Sequence, residues 1–315
     1  MAQKPLVSVC MITYNHEAYI AQAIEGVLMQ KTDFPIELVI GEDCSTDSTR
    51  EICQRFETET TVNVSVLSRE KNLGVMPNLV DTLKHCHGKY IALCEGDDYW
   101  SDVNKLSMQI GFLERNPKYT GACTSVDRLD ERDHSVRPEQ SHDLLPSEMD
   151  VTTEELLSDF FIYTPTFVFR NHIFEAENLS RYSFGDKFIQ LLTSAKGMIR
   201  FFNCSSSVYR IHNSGAMHTF VPANPYRFFG DYIDFLTFYD EYTSFEFHPL
   251  ISRKQTYLCR LKSMSDRSNN IIGRSIAGIR YLLDSQTEKS IGEVRNVFTL
   301  TFPQVHGTVK RIFKK

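Results

Sequence analysis

Apolar and polar positions in the first third of the chain alternate between short runs of apolar, β-branched residues and longer amphipathic stretches. The short runs, at residues 6–12, 36–40, 62–67 and 90–94, predict four strands, of which the first is expected to be buried. The stretch at 19–28 repeats its apolar residues at helical spacing, which predicts a helix with one face on the core. Strands that alternate with helices indicate βαβ units and a mostly parallel sheet flanked by helices.

Turn and capping residues predict where further helices begin and end. Pro77 suits the first position of a helix, and Gly88 suits the position just after its end. Another helix is expected to carry the apolar residues of 106–113. Thr152 and Glu155 have the spacing of a capping box that opens a further helix.

The pattern is looser in the rest of the chain. Charged and turn residues at 127–146 predict a surface excursion. Residues 167–169 and 206–209 resemble strands, separated by a helix at about 186–196. From residue 222 onward the chain is expected to be mainly helical and rich in aromatic residues.

Composition and charge narrow the class of protein. The 315 residues are 42% hydrophobic and 23% charged, as in an ordinary globular protein with a buried core. A net charge of −6 argues against a general nucleic-acid binder, which presents a basic surface. The eight cysteines contain no CxxC pair, so they describe neither a zinc site nor a dense disulfide framework. Because neither a signal peptide nor a membrane-spanning run is visible, we expect a cytoplasmic protein.

Polar clusters directly follow three of the predicted strands, at residues 13–15, 42–43 and 95–98. Ligands of open α/β sheets bind beyond the carboxyl ends of the strands. The three clusters are therefore expected to meet at a single site.

The cluster at 95–98 carries the carboxyl groups of Glu95, Asp97 and Asp98. Carboxylates so close together repel one another and raise one another's pKa, unless a cation is present. Mg²⁺ typically binds through one or two carboxylates together with substrate phosphates. The residues alone leave two alternatives open, a divalent-metal site and a solvated acidic turn.

Other polar groups near the same edge suit a nucleotide. An ionised Asp43 only accepts hydrogen bonds, so it suits a base N–H or a ribose hydroxyl. Residues 13–15 begin a helix beside it, and Arg69 with 72–74 offers a cation and a flexible glycine. The alternatives are helix capping for the Asp43 cluster and a surface turn for 72–74.

The segments 7–15, 41–49, 72–74 and 95–100, in this order and spacing, resemble the family 2 glycosyltransferases. This family has the GT-A (Rossmann-like) fold and includes many bacterial enzymes of cell-envelope polysaccharide biosynthesis. The resemblance implies transfer of a hexose or related sugar, with inversion, from a nucleotide-sugar donor, with UDP as the favoured nucleotide. It also implies a divalent metal, Mn²⁺ or Mg²⁺, and as acceptor a hydroxyl of a saccharide or lipid-linked saccharide.

The resemblance assigns roles to the matching positions. The residues expected to bind the donor are Thr13, Tyr14, Asn15, Asp43, Arg69, Asn72, Gly74, Glu95, Asp97, Trp100 and Arg210. Glu95, Asp97 and Asp98 stand in for the DxD motif, in which Glu95 replaces the more frequent aspartate. Asp98 is expected to be the first metal ligand and Asp97 the second. Trp100 would pack on a sugar ring, with a structural anchor as the alternative.

Two later segments resemble the acceptor side and the mobile loop of the family. In the segment 184–186, Asp186 is the only carboxylate and would act as the general base, with helix capping as the alternative. In the segment 209–215, Arg210 would balance phosphate charge, and His212 would ligate the metal or contact a phosphate oxygen.

The chain is predicted to consist of a GT-A domain at 1–220 and a mainly helical C-terminal extension at 221–315. Within the first, 1–125 would bind the nucleotide sugar and 126–220 would hold the acceptor. The amphipathic, basic end at 305–315 is typical of a helix on an anionic membrane surface, at the inner face of the membrane. A terminal helix packed on the domain is the equal alternative.

Other classes of protein fit the sequence less well. A metal-dependent nucleotidyltransferase would show a glycine-rich phosphate loop and a basic residue after the first strand, and a dehydrogenase would show GxGxxG there. A non-catalytic nucleotide-sugar-binding protein, which would keep the donor pocket without a working base, stays open as an alternative hypothesis.

Overall fold

We describe a computed structural model of the chain, which covers residues 4–60, 62–139, 143, 145–158, 162–171, 179–215 and 223–266. The chain divides into two compact units, with the boundary between residues 218 and 219. The functional roles predicted for residues 1–125, 126–220 and 221–315 stay predictions.

The first unit contains one large sheet with helices packed against it. Its strands are β1 (Val7–Thr13), β2 (Ile36–Glu42), β3 (Asn63–Ser68), β4 (Tyr90–Leu93), β5 (Tyr99–Trp100), β6 (Tyr119–Asp130), β7 (Ser135–Pro138), β8 (Glu148–Val151), β9 (Val168–Arg170) and β10 (Met198–Ile211). Its helices are α1 (Ile20–Leu28), α2 (Thr49–Glu59), α3 (Val75–Lys84), α4 (Lys105–Arg115), α5 (Thr153–Ser158) and α6 (Asp186–Ser194).

The sheet has the order β3-β2-β1-β4-β9-β6-β10-β5, with β7 paired to β6 and β8 paired to β10. The strands β3, β2, β1 and β4 run parallel, and so do β6 and β10. The strands β5, β7, β8 and β9 join antiparallel to their neighbours. The alternation of strands and helices is therefore confirmed, and the parallel arrangement holds best in the first half of the sheet, where helices connect the strands.

The core of the first unit lies around β1, in which every residue is buried. Helix α1 covers one side of the sheet with a buried stripe that contains Ile20, Ile24 and Val27. Ligands of open α/β sheets bind beyond the carboxyl ends of the strands. The candidate site is therefore expected beyond Thr13, where β1 ends.

Helix α3 differs from its prediction at both ends. It begins at Val75, so Pro77 lies within the first turn and Gly74 precedes the helix with a φ of 87°. It ends well before Gly88, so the predicted end signal is wrong. Gly88 instead lies against β1, where its N–H donates to Ser8 Oγ at 2.7 Å and an added Cβ would lie 2.5 Å from Ser8 N.

Two predictions for the middle of the chain can be compared with the structure. Residues 127–138 lie at the surface, as predicted, but they form strands and not a loop, because β6 continues to Asp130 and pairs with β7. The capping box is confirmed, since Thr152 N donates to Glu155 Oε2 at 2.7 Å and Glu155 N donates to Thr152 Oγ1 at 3.4 Å. The elements predicted at 167–169, 206–209 and 186–196 are confirmed as β9, β10 and α6.

The second unit contains helices α7 (Pro225–Tyr242) and α8 (His248–Asp266). Proline at the first position of α7 suits a helix start. His248 Nδ1 lies 2.6 Å from Asp240 Oδ2 and links the two helices. The predicted basic end at 305–315 lies outside the described residues. In the part of the chain that is described, no helix is both long enough and apolar enough to cross a bilayer.

Candidate active site

Loops from the ends of β1, β2 and β4 meet at one edge of the sheet. Asp43 N donates to Thr13 O at 3.0 Å, and Gly96 N donates to Ile12 O at 2.9 Å. Both loops are therefore fastened to the end of β1. This contact brings together the three polar clusters that the sequence places after these strands.

The loop after β1 is held by side-chain contacts to the loop before α2. Asn15 has a φ of 55°, its N–H donates to Ser45 Oγ at 3.0 Å, and its Oδ1 accepts from Thr46 N at 2.8 Å. Thr13 is buried, whereas Tyr14 is 42% exposed. Of the three residues predicted to bind the nucleotide-sugar donor, Tyr14 has an exposed side chain, and Asn15 holds the shape of the loop.

Asp43 lies at the end of β2, and its carboxylate is shared by two backbone donors. Oδ1 accepts from Leu73 N at 2.7 Å and Oδ2 accepts from Gly74 N at 2.9 Å, while Asn72 Nδ2 donates to Asp43 O at 3.1 Å. Burial raises the pKa of Asp43, and the two N–H bonds oppose that rise. We call this arrangement the Asp43 site. It fastens residues 72–74 beside β2.

Arg69 lies next to the Asp43 site with part of its guanidinium engaged. Its Nη1 is 2.7 Å from Asp81 Oδ2, and its Nε donates to Asn78 Oδ1 at 3.3 Å. Its Nη2 is buried and has no hydrogen-bond partner among the described residues. The positive charge of Arg69 also opposes the rise that burial causes in the pKa of Asp43. Arg69 therefore keeps a donor that a ligand would satisfy.

The carboxyl groups of Glu95, Asp97 and Asp98 form the acidic cluster, in which one oxygen from each lies within 4.8 Å of the others. Asp98 is 1% exposed, and its Oδ1 accepts from Arg210 N at 2.8 Å. Its Oδ2 is buried without a hydrogen-bond partner in the described part of the chain. Burial, followed by the charges of Asp97 and Glu95, raises the pKa of Asp98 well above its usual range. An unpartnered buried oxygen beside two further carboxyls fits a divalent cation.

Glu95 shows the same effect of burial and repulsion. Burial, then the charges of Asp97 and Asp186, raises the pKa of Glu95 to about 8. The interaction with Asp186 is informative because that residue lies far along the chain, at the start of α6. The fold thus brings the predicted general base to the acidic cluster.

Asp186 is the first residue of α6, and its Oδ1 accepts from Lys187 N at 2.8 Å. The residue that caps the helix is Gly185. Burial raises the pKa of Asp186, which makes a carboxylate at this position a better proton acceptor. Its role as a base stays a prediction.

Asp97 is flanked by two histidines. His212 Nε2 lies 3.0 Å from Asp97 Oδ2, and His16 Nε2 lies 3.8 Å from the same oxygen. Burial raises the pKa of Asp97, but the His212 hydrogen bond and the charges of His16 and His212 outweigh burial, so the pKa is lowered. The other ring nitrogen of His212 lies 2.8 Å from Ser214 Oγ. His212 therefore orients Asp97, and its role as a metal ligand stays a prediction.

Arg210 links the acidic cluster to α1. Its Nε donates to Asp97 O at 2.7 Å, its Nη2 donates to Gln22 Oε1 at 2.7 Å, and its Nη1 bonds Glu131. The guanidinium also lies over the ring of Tyr19, 4.6 Å from its centroid. The guanidinium of Arg210 is thus already bonded to several protein groups. Its predicted contact with phosphate stays a prediction.

Trp100 is buried and does not have the sugar contact that was predicted for it. The side chain is 1% exposed and belongs to the core, where Nε1 donates to Pro165 O at 2.8 Å and Lys105 Nζ lies 4.6 Å from the ring centroid. A ring that stacks on a sugar needs an open face. The alternative role of a structural anchor is the one observed, and the predicted donor contact is wrong.

The structure adds site residues that the prediction did not include. His16 directly follows residues 13–15, so that motif was a usable signal for it. Tyr209 directly precedes Arg210 and reaches the acidic cluster. By contrast, no local pattern marks Gln22 or Glu131, since only the fold brings them to Arg210.

Comparisons with known proteins agree with this geometry. Residues 8–177 match the model of a protein family described as "Glycosyl transferase family 2". An uncharacterised protein of Mycobacterium bovis is 33% identical over 212 residues, which cover 67% of this chain and 60% of that protein. The putative teichuronic acid biosynthesis glycosyltransferase TuaG of Bacillus subtilis is 36% identical over 110 residues, which cover 35% of this chain and 42% of TuaG. The matched region thus spans less than two thirds of either relative.

Solved structures share the fold at lower identity. Staphylococcus aureus TarS 1–349 in complex with UDP-GlcNAc has a TM-score of 0.59 and 16% identity, covering 94% of this chain and 80% of TarS 1–349. The mannosyltransferase PcManGT from Pyrobaculum calidifontis, in complex with GDP-Man and Mn²⁺, has a TM-score of 0.57 and 15% identity, covering 100% of this chain and 89% of PcManGT. The predicted fold class is confirmed.

Proposed function

The chain belongs to glycosyl transferase family 2, and from this premise we propose that it transfers a sugar from a nucleoside-diphosphate donor to an acceptor hydroxyl. The observation that carries the proposal is the acidic cluster, in which Asp98 Oδ2 is buried without a hydrogen-bond partner among the described residues. We propose a hexosyl or related donor with UDP as its nucleotide, inversion at the anomeric carbon, and a saccharide or lipid-linked saccharide as acceptor.

The acidic cluster suits a divalent metal, which we propose to be Mn²⁺ or Mg²⁺. Asp98 and Asp97 would hold the ion, and the His212 hydrogen bond would orient Asp97. When bound, such an ion neutralises charge on the donor diphosphate and on the departing nucleotide. The fit rests on two observations: the cluster offers only oxygen ligands, and burial together with repulsion raises the pKa of Glu95 and of Asp98.

The loops around the Asp43 site would bind the nucleoside. Tyr14 is exposed beside Asn15, and Arg69 carries a buried N–H group that has no partner among the described residues. Asp43 retains acceptor capacity on its carboxylate, since each oxygen receives a single backbone N–H among the described groups. These groups support recognition of a base and a ribose.

Asp186 would act as the general base. Its carboxylate would take the proton from the acceptor hydroxyl as that oxygen forms a bond to the anomeric carbon. The bond from the anomeric carbon to the diphosphate oxygen would break in the same step, and the nucleoside diphosphate would leave with the electron pair. Attack and departure on opposite sides of the carbon invert its configuration. The burial that raises the pKa of Asp186 supports this role.

The first experiment is calorimetric titration of UDP into the purified protein, with Mn²⁺ and again with EDTA. We expect binding that depends on the metal, because the acidic cluster alone would repel a diphosphate. No UDP binding in either condition would contradict the proposed donor site. Equal binding in both conditions would contradict the metal.

A second experiment separates catalysis from binding. Asp186→Asn should keep the UDP affinity of the wild type and lose turnover of the sugar nucleotide that the wild type uses, because only the proton acceptor is removed. The exposed residue Asp133 provides the matched control, Asp133→Asn. Full turnover in Asp186→Asn would exclude this residue as the base.

A further inference from the structure

Tyr209 and Arg210 are neighbours on β10, and their side chains leave opposite faces of the strand. The guanidinium of Arg210 packs over the ring of Tyr19, the residue that precedes α1. The ring of Tyr209 instead lies beside Tyr163, with 5.2 Å between the ring centroids and an interplanar angle of 57°. Tyr209 therefore belongs to the side of the sheet away from α1.

Tyr209 adjoins the acidic cluster, because the next residue on β10, Arg210, donates its backbone N–H to Asp98 Oδ1 at 2.8 Å. Burial, followed by the charges of Asp98, Glu95 and Asp97, raises the pKa of Tyr209, so these carboxyls are within electrostatic reach. The residue is half-buried, and its hydroxyl makes no hydrogen bond with the described residues. A polar group in this position is available to a ligand.

Tyr163 differs because its hydroxyl is already committed. It donates to Glu139 Oε2 at 2.5 Å, and the Glu139 side chain is buried. Arg128 Nη1 lies 3.6 Å from the same carboxylate oxygen. These contacts fix the orientation of the Tyr163 ring, so one ring of the pair is rigidly held and the other keeps an open hydroxyl.

We propose that Tyr163 and Tyr209 form one wall of an acceptor subsite that takes a pyranose ring, with the Tyr209 hydroxyl bonding one of the sugar hydroxyls. This inference rests on the transferase function proposed above. Tyr209 adjoins the acidic cluster, and the charge of Asp186 acts on Glu95 of the same cluster. The loops proposed to bind the nucleoside follow β1 and β2. An acceptor ring beside Tyr209 would therefore approach the reacting centre without competing with the nucleoside.

The chemistry of the pair selects a cyclic sugar. A pyranose has a face of C–H groups that matches an aromatic ring, and hydroxyl groups at its edge that match a polar tip. An acyclic polyol has no such face. A lipid chain would leave the Tyr209 hydroxyl without a partner, at the cost of an unsatisfied polar group.

The test uses the full chain in the presence of Mn²⁺ and UDP. Methyl β-D-glucopyranoside and methyl β-D-galactopyranoside are titrated by saturation-transfer NMR, with ribitol as the acyclic probe. We compare the wild type with Tyr209→Phe and Tyr209→Leu. Tyr226→Leu is the matched control, because Tyr226 is 51% exposed and belongs to the second unit.

We expect at least one pyranoside to bind the wild type more tightly than ribitol does. Removal of the hydroxyl in Tyr209→Phe should weaken that pyranoside about threefold, and removal of the ring in Tyr209→Leu about tenfold. UDP affinity should be unchanged in both variants, and the control should match the wild type. Tyr209→Phe is nearly isosteric, so its result holds even if Tyr209→Leu folds poorly.

Three results would overturn the subsite: no pyranoside binding to a wild type that binds UDP, unchanged affinity in both Tyr209 variants, or an equal loss for ribitol. A wild type that binds no UDP would contradict the proposed function, and the subsite with it. The two failures are therefore distinguishable by the UDP titration.

Discussion

Asp43 and Asp98 are both buried aspartates at the same edge of the sheet, yet their carboxylates are used differently. Each oxygen of Asp43 accepts a backbone N–H, from Leu73 and from Gly74. Asp98 accepts one N–H, from Arg210, and its other oxygen has no partner among the described residues. Burial, followed by the charges of two neighbouring carboxyls, raises the pKa of Asp98.

The difference separates a carboxylate that organises backbone from one that is suited to a cation. Burial without full hydrogen bonding costs free energy, so such a group is retained where a ligand completes it. The Asp43 site should therefore matter to the folded protein itself. The acidic cluster should matter mainly to ligand binding.

Asp98→Asn should weaken the binding of UDP in the presence of Mn²⁺ by at least about 100-fold, because it removes a charged ligand from the metal. Calorimetry measures the affinity, with Asp133→Asn as the surface control. UDP affinity equal to that of the wild type would show that Asp98 does not serve a cation.

Asp43→Ala should lower the free energy of unfolding by about 2–4 kcal/mol in EDTA, because two backbone donors lose their acceptor. Urea denaturation measures this loss. Asp98→Asn should show no such loss in the same buffer. A similar loss in both variants would remove the contrast between the two sites.

Gly74→Ala should cost about 1–3 kcal/mol, because Gly74 has a φ of 87° and a ψ of 162°, a region that residues with a Cβ rarely adopt. Among the described residues, and apart from the two chain neighbours of Gly74, no atom lies within 4 Å of the added methyl group, so the cost is conformational. Gly111→Ala, within helix α4, is the matched control and should be neutral or stabilising. Unchanged stability in Gly74→Ala would show that the loop of the Asp43 site adapts freely.

Glu95→Gln should stabilise the metal-free protein by about 1 kcal/mol at pH 8.5 and have little effect at pH 4.5. The folded protein raises the pKa of Glu95 from 4.5 to about 8. A raised carboxyl pKa means that the folded state loses stability as the pH rises from 4.5 through 8. Glutamine does not ionise, so the variant escapes that loss. Urea denaturation in EDTA measures the free energy of unfolding of the wild type and the variant at both pH values. An equal change in that free energy at both pH values would contradict the raised pKa of Glu95.

Local sequence pattern was sufficient for the first half of the sheet. Each of its strands is an apolar run, and each helix between them repeats apolar residues on one face, so the pattern alone predicts the βαβ order. The pattern fails at 127–138, where polar residues form the end of β6 and the strand β7. Hydrogen bonds between the two strands specify that hairpin, and periodicity does not record them.

The acidic motif and its position after β4 were likewise readable from the sequence, because the residues are adjacent in the chain. The place of Trp100 was not, although it follows the same motif. Its indole is buried by contacts with Pro165 and Lys105, and whether a ring next to a site faces the cleft or the core depends on such packing.

The fold class, the family and the three polar clusters at the strand ends can be predicted from the sequence, because short-range patterns carry that information. The contacts of each side chain in the site depend on the tertiary structure. Arg210 bonds Gln22, which lies 188 positions away, and Asp186 acts on Glu95 from the start of α6. Contacts between residues so far apart depend on how the whole sheet assembles, and no local pattern specifies them.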